Sequence, residues 1–143
     1  MAELTREQIV GTLRDGWGTY VERFERLSPE ARAACLAQQG YARLADLLAH
    51  VIAWWEEGLQ AIPALLDDPN FSSPDHDMDA FNAHAVERFR GLDERAVILT
   101  FEAARRAWLD LVARLPDDAL RNKRIAGRLD IEIIGHLAEH VIS

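Results

Sequence analysis

An apolar rhythm of three- and four-residue steps runs through almost the whole chain, and it leaves little choice of fold class. Ile9, Leu13, Trp17, Tyr20, Phe24 and Leu27 follow it first. Leu44, Leu47, Leu48, Val51, Ile52, Trp55, Leu59, Ile62 and Leu66 repeat it, and a third series runs through Phe81, Phe89, Leu92, Val97, Phe101, Trp108, Leu111 and Leu115. This spacing collects apolar side chains on one face of an α-helix. No run alternates with period two, and no Asn-Gly or Asp-Gly hairpin joins two such runs. The chain is therefore expected to be all-α, one domain over residues 1–143, built as a four-helix bundle.

The stop signals divide the rhythm. A first helix starts near Thr5, where Thr5 and Gln8 have the spacing of a capping box, and ends at the Ser28-Pro29-Glu30 stretch. Gly11, Gly16 and Gly18 weaken it by propensity, up to about 1 kcal/mol each against alanine, which points to close packing on that helix. A short connecting helix over "PEARAACLAQQ" links it to the second, from about Tyr41 to Leu66. "DDPNFSSPDHD" is a loop. The third helix, capped by Asp77 or Asp79, is expected from about Ala80 to Leu115 with a kink at Gly91. "LPDDALRNKRIAGRLD" is expected to be a polar connection, with Asp130 capping a last helix that is still running at Ser143.

Composition narrows the function classes. The net charge of −8 opposes a nucleic-acid partner, because phosphate binding needs a basic surface. No apolar run reaches the roughly 18 residues of a membrane span, and "MAELTREQIV" is unlike a secretory signal. The single cysteine, Cys35, sits in an apolar run as a small buried hydrophobe, and the expected compartment is the cytoplasm.

The chemistry concentrates in "DIEIIGHLAEHVIS", where His136 and His140 stand four apart. On a helix that spacing puts both rings on one face, about 5–6 Å apart at Cβ, which suits two ligands of one ion. The second helix carries an echo. "DLLAHVI" at 46–52 and "EIIGHLA" at 132–138 share an acidic residue, two branched aliphatics, a small residue, a histidine and an aliphatic, which aligns His50 with His136. Three neutral imidazoles leave a fourth position for water or substrate, as catalytic zinc sites do, and imidazole also suits nickel, copper and iron. From the residues alone an alternative stays open: three core histidines satisfied separately, with Glu139 and Asp46 as partners. His84 and Trp54 are possible pocket residues, Trp54 lying one turn after His50. His76 and the basic "RNKR" at 121–124 read as solvated. No Ser-His-Asp or Cys-His pattern stands out, and Glu139 is turned about 100° from its helix neighbours, so no general acid or base is evident.

"LADLLAHVIAWWEE" followed by "IEIIGHLAEHV" resembles the DinB-like superfamily of bacterial four-helix bundles, which includes thiol-dependent maleylpyruvate isomerases and the ClbS/DfsB proteins. "MDAFNAHAVERF" at 78–89, with its Phe81-Asn82 pair, resembles the opening of that family's third helix. The resemblance implies a divalent metal ion, zinc or nickel, on His50, His136 and His140. It implies thiol transfer, isomerisation or hydrolysis of small, often toxic, electrophiles, with a small-molecule substrate or a thiol cofactor as partner. The other functions open at this stage are a protective small-molecule binder of the ClbS/DfsB kind and a structural dimer. A homodimer is expected, because Trp17, Tyr20 and the tryptophans of the second helix exceed what a small bundle needs inside.

Overall fold

The capping box forms as its spacing predicts: the Thr5 hydroxyl accepts from the Gln8 N–H at 3.1 Å, and the Gln8 side chain accepts from the Thr5 N–H at 2.8 Å. In the computed structural model, which describes residues 3–142, every regular element is helical. The first rod is α1 (Arg6–Gly11), a π turn (Thr12–Gly16), a 3-10 turn (Trp17–Thr19) and α2 (Tyr20–Glu25). The connecting helix α3 covers Pro29–Gln39, capped by the Ser28 hydroxyl and ended by Gly40 at φ 85°, a conformation glycine adopts without strain. Then come α4 (Leu44–Asp67), α5 (Met78–Phe89) and α6 (Glu94–Arg114). A 3-10 turn (Ala119–Arg121), α7 (Lys123–Leu129), a second π turn (Asp130–Gly135) and α8 (His136–Glu139) complete the order.

Two expectations are corrected. The third helix is not one kinked rod, because the chain leaves helical geometry after Phe89. The Asp93 side chain captures the Ala96 N–H at 2.8 Å and starts α6 afresh. Of the two candidate caps for α5, Asp77 takes the role. Asp130 does not cap the last rod. Asn122 does, accepting from the Arg124 and Ile125 N–H groups, so the expected polar connection is already helical at Lys123. Ile125 and Leu129, both buried, carry the apolar rhythm through those polar letters. The rod ends at Glu139, with His140 as its C-cap; Ser143 lies outside the described residues.

The long helix α4 packs against α5, α6 and α7, while α1 packs on α6 and on the second π turn. Arg6 ties the rods together by donating to the carbonyls of Val112, Ala113 and Leu115 at the end of α6. At Gly16 the first and last rods touch, since a Cβ there would stand 2.4 Å from Leu137 Cδ2. The aromatic centre is Trp17, Trp55 and Phe101. Trp55 stacks on Phe101 at 5.3 Å, and Trp17 meets Trp55 edge-on at 5.1 Å. Trp17, Tyr20, Trp55 and Trp108 are all fully buried in this one chain. Of the aromatics that suggested a dimer face, Trp17, Tyr20 and Trp55 are used in the chain's own core, while Trp54 is half-buried. No described helix is long and apolar enough to cross a membrane.

Candidate metal centre

His50 comes from the second turn of α4, and His136 and His140 from the first residue and C-cap of α8. The π turn just before them shapes their approach. Its wide winding appears in the bond from the His136 N–H to the Ile131 carbonyl, five residues back. Two core indoles hold that turn. Trp55 Nε1 donates to the Glu132 carbonyl at 2.8 Å and Trp17 Nε1 to the Ile133 carbonyl at 2.9 Å. Tyr20 then donates its hydroxyl to the His140 carbonyl at 2.6 Å, fixing the end of the rod.

The three rings converge through their Nε2 atoms. His50 Nε2 lies 3.0 Å from that of His136 and 3.1 Å from that of His140. This is the one set of three or more candidate metal ligands found among the described residues, with the ligating atoms all within 4.8 Å of one another. The other ring nitrogens decide what those contacts are. Asn82 Oδ1 accepts from Trp54 Nε1 at 2.7 Å, and an indole only donates, so that atom is an oxygen. The same Oδ1 is 2.8 Å from His50 Nδ1, which must therefore carry the proton. His50 Nε2 is left with its lone pair. Gln39 Oε1 does the same to His140 Nδ1 at 2.7 Å, with the amide's Nε2 turned to Cys35 Sγ at 3.4 Å. Two lone pairs then face each other with no hydrogen between them, which repels unless a cation lies against both. Zinc–nitrogen bonds of about 2.0–2.1 Å in tetrahedral array put nitrogens about 3.3 Å apart, close to the separations here. The donor set fits one divalent ion. Asp46 and Glu139, the partners considered from sequence, do not take the Nδ1 atoms: Asp46 pairs with Arg43 at 2.8 Å and Glu139 is exposed.

Burial keeps the rings neutral, as ligation requires. It lowers His136 to about 3, helped by His140 and His50, and lowers His140 to about 4, helped by His50. His50 is lowered mainly by burial, against the opposing pull of Asn82 and Glu139. His136 Nδ1 is buried and meets no hydrogen-bond geometry; the Glu132 carbonyl that bears on it is already taken by Trp55.

A cleft of about 290 Å³ opens beside the cluster and reaches His50, His136, Trp54 and Glu132. Trp54 is thus where the sequence put it. His84 is not: it is exposed on α5 and borders a different depression, beside Glu56 and Arg88. His76 is exposed yet pairs with Glu57, and Arg124 of the basic stretch donates to the Pro69 and Phe71 carbonyls rather than standing free. Sequence reasoning missed Glu132. Only 4% exposed, it is raised by burial to about 7, with Arg128 opposing and Glu57 adding. Its signal was the Glu132–His136–His140 spacing, one residue every fourth position. Searches against protein-family models, curated proteins and solved structures found no match to this chain.

Proposed function

We propose that His50, His136 and His140 hold one divalent metal ion, zinc or nickel, in a DinB-like four-helix bundle that acts on small electrophiles by thiol transfer, isomerisation or hydrolysis. The observation that carries this reading is the 3.1 Å approach of two lone-pair nitrogens, His50 Nε2 and His140 Nε2, whose protons are committed to Asn82 and Gln39. The bundle reading is supported by four helical stretches, residues 6–25, 44–67, 94–114 and 123–139, with the second packed on the third and fourth and the first on the same two, while α5 lies separately against α4. When bound, such an ion supplies Lewis acidity and makes a water or thiol a better nucleophile near neutral pH. The chain's own residues do the rest. Asn82 and Gln39 orient two ligands, Trp54 walls the cleft, and Glu132 is the buried carboxyl beside the cluster suited to hold or release a proton near pH 7. On the same reading the protein is a bacterial, cytoplasmic homodimer with a small-molecule substrate or thiol co-substrate. The test is elemental analysis of protein purified without an affinity tag. About one equivalent of metal is expected, most of it lost in His50→Ala, because two imidazoles on one helix hold an ion less well than three. Full occupancy in His50→Ala would overturn the three-histidine site. Thiol-dependent turnover of a model electrophile by metal-loaded but not metal-stripped protein would separate an enzyme from a binder.

A further inference from the structure

We propose that the cleft beside the histidines takes a compact, neutral, mainly hydrocarbon molecule bearing one hydrogen-bond donor, and that Glu132 is the acceptor for that donor. The reaction that follows rests on the metal-centre reading; the binding does not.

The rim of the cleft argues for the hydrocarbon body. Met78 and Ile131 are 64% and 66% exposed, among the most exposed large apolar side chains described, and both border this cleft although they come from different elements. Between α4 and α5 stands Trp54, whose indole N–H is already committed to Asn82, so it offers a ligand its ring alone. Three apolar surfaces at the mouth of a pocket whose floor holds histidines and a carboxyl are the usual lining of a small-molecule site.

The floor argues for the donor. Glu132 Oε2 is buried and has no hydrogen-bond partner. The nearest cation, Arg128 Nη2, is 3.9 Å away, beyond hydrogen-bond reach, and the Arg128 guanidinium donates instead to Ser73 Oγ at 3.3 Å. A buried acceptor left unpaired is costly, and a ligand hydroxyl or amide N–H relieves that cost. The carboxyl is also held in place. Oε2 sits where a Cβ on Gly58 would come within 2.9 Å, so the absence of a side chain there seats it. Charge selects neutrality from both sides. Glu139 opposes an anionic head, while Arg128, and any ion on the histidines, opposes a cationic one.

The experiment compares three probes by ligand-observed NMR titration: benzyl alcohol, its methyl ether, which lacks the donor, and ethylene glycol, which lacks the apolar body. Benzyl alcohol should bind about tenfold more tightly than the ether, the worth of one good hydrogen bond to a buried carboxyl. Ethylene glycol should show no saturable binding. Glu132→Met, similar in length but without an acceptor, should bring alcohol and ether within about twofold of each other, and Glu132→Gln, which keeps an acceptor, should restore the preference. Ile131→Asp, on an exposed position that leaves the core alone, should weaken both aromatic probes about fivefold. Equal binding of alcohol and ether to the unaltered protein, an unchanged ratio in Glu132→Met, or no binding of benzyl alcohol would each overturn the proposal. Running the series on metal-loaded wild type and on His50→Ala separates the two readings. Full metal occupancy retained in His50→Ala, with the alcohol preference present, counts against the metal centre alone, and metal lost in His50→Ala, with no alcohol preference in the wild type, counts against this inference alone.

Discussion

Replacing Asn82 by leucine tests the tautomer argument at its source. Leucine has the branched four-atom shape of asparagine, though it is bulkier, and accepts nothing, so two donors lose their partner at once: His50 Nδ1 at 2.8 Å and Trp54 Nε1 at 2.7 Å. A buried donor left unpaired costs about 1–3 kcal/mol. His50 is buried but Trp54 is half-buried and reaches water, so the sum should stay near the value for a single buried group. About 1–3 kcal/mol corresponds to a drop of roughly 3–9 °C in Tm for a chain of this size. That measurement belongs in chelator, so that bound metal does not add its own stabilisation. Metal affinity should fall further than stability suggests. Without Asn82 the His50 proton is free to move to Nε2, where it blocks ligation. Loss of such an orienting partner typically lowers metal affinity 10–100-fold, about 1.4–2.7 kcal/mol. Asn82→Asp is the control, because a carboxylate is a stronger acceptor and should keep or raise the affinity. The assay is competition with a chromophoric chelator near pH 7.5. An Asn82→Leu protein that stays folded and binds metal within about twofold of wild type would refute the claim that Asn82 sets the His50 tautomer.

Three further outcomes follow from the same packing. Gly58→Ala should destabilise by up to about 2 kcal/mol in denaturant unfolding: alanine's helix propensity is worth about 1 kcal/mol, but its Cβ would fall 2.7 Å from the Trp108 ring and 2.9 Å from Glu132 Oε2, an overpacking of about 1–3 kcal/mol. A more stable variant would contradict that packing. Metal-free protein should lose stability as pH falls from about 6.5 towards 4, because histidines lowered to about 3 and about 4 stay neutral when folded but take protons when unfolded, up to about 1.4 kcal/mol per pH unit for each. Flat stability across that window by thermal melts would rule this out. Glu132 acts with the opposite sign, since a carboxyl raised from 4.5 to about 7 holds its proton when folded and costs stability as pH rises through that range. Glu132→Met should therefore stabilise the protein at pH 8 by up to about 3 kcal/mol and steepen the loss in acid; an unchanged Tm at pH 8 would show that the carboxyl is not strained by burial.

Much of this was legible in the residues, for reasons that can be named. Helices announce themselves through a local period, and the connecting helix has the bounds its letters suggested, because Ser28, Pro29 and Gly40 are strong local signals. The division between α5 and α6 was masked because Phe89, Leu92 and Val97 keep the apolar rhythm across it, while the Asp93 cap competes from a single side chain. In the site, the echo between "DLLAHV" and "EIIGHL" carried His50 and His136, which share a repeated local setting, and the four-residue spacing to His136 carried His140. Their partners were not readable that way. Gln39 and Asn82 belong to α3 and α5, and only the packing of those helices against α4 and α8 brings their amides to the rings. Glu132 stood in the echo as an acidic letter, but its burial depends on Gly58 and Trp108, far away in sequence.

The π turn at Asp130–Gly135 makes the length of the chain part of the site. A π turn winds one more residue into the helix than an α turn does, and each residue advances the helix by about 100°. Everything after it, His136 and His140 included, is out of phase with α7 by that one residue. Rewinding Asp130–Gly135 as plain α-helix at the same chain length would change no hydrophobicity or charge, yet it would swing both histidines about a quarter-turn away from His50. Deleting one residue there instead removes the residue the turn absorbs, so plain α-helix would keep His136 and His140 facing as they do. In a lineage carrying this site, the winding of that turn and the length of the chain can change only together.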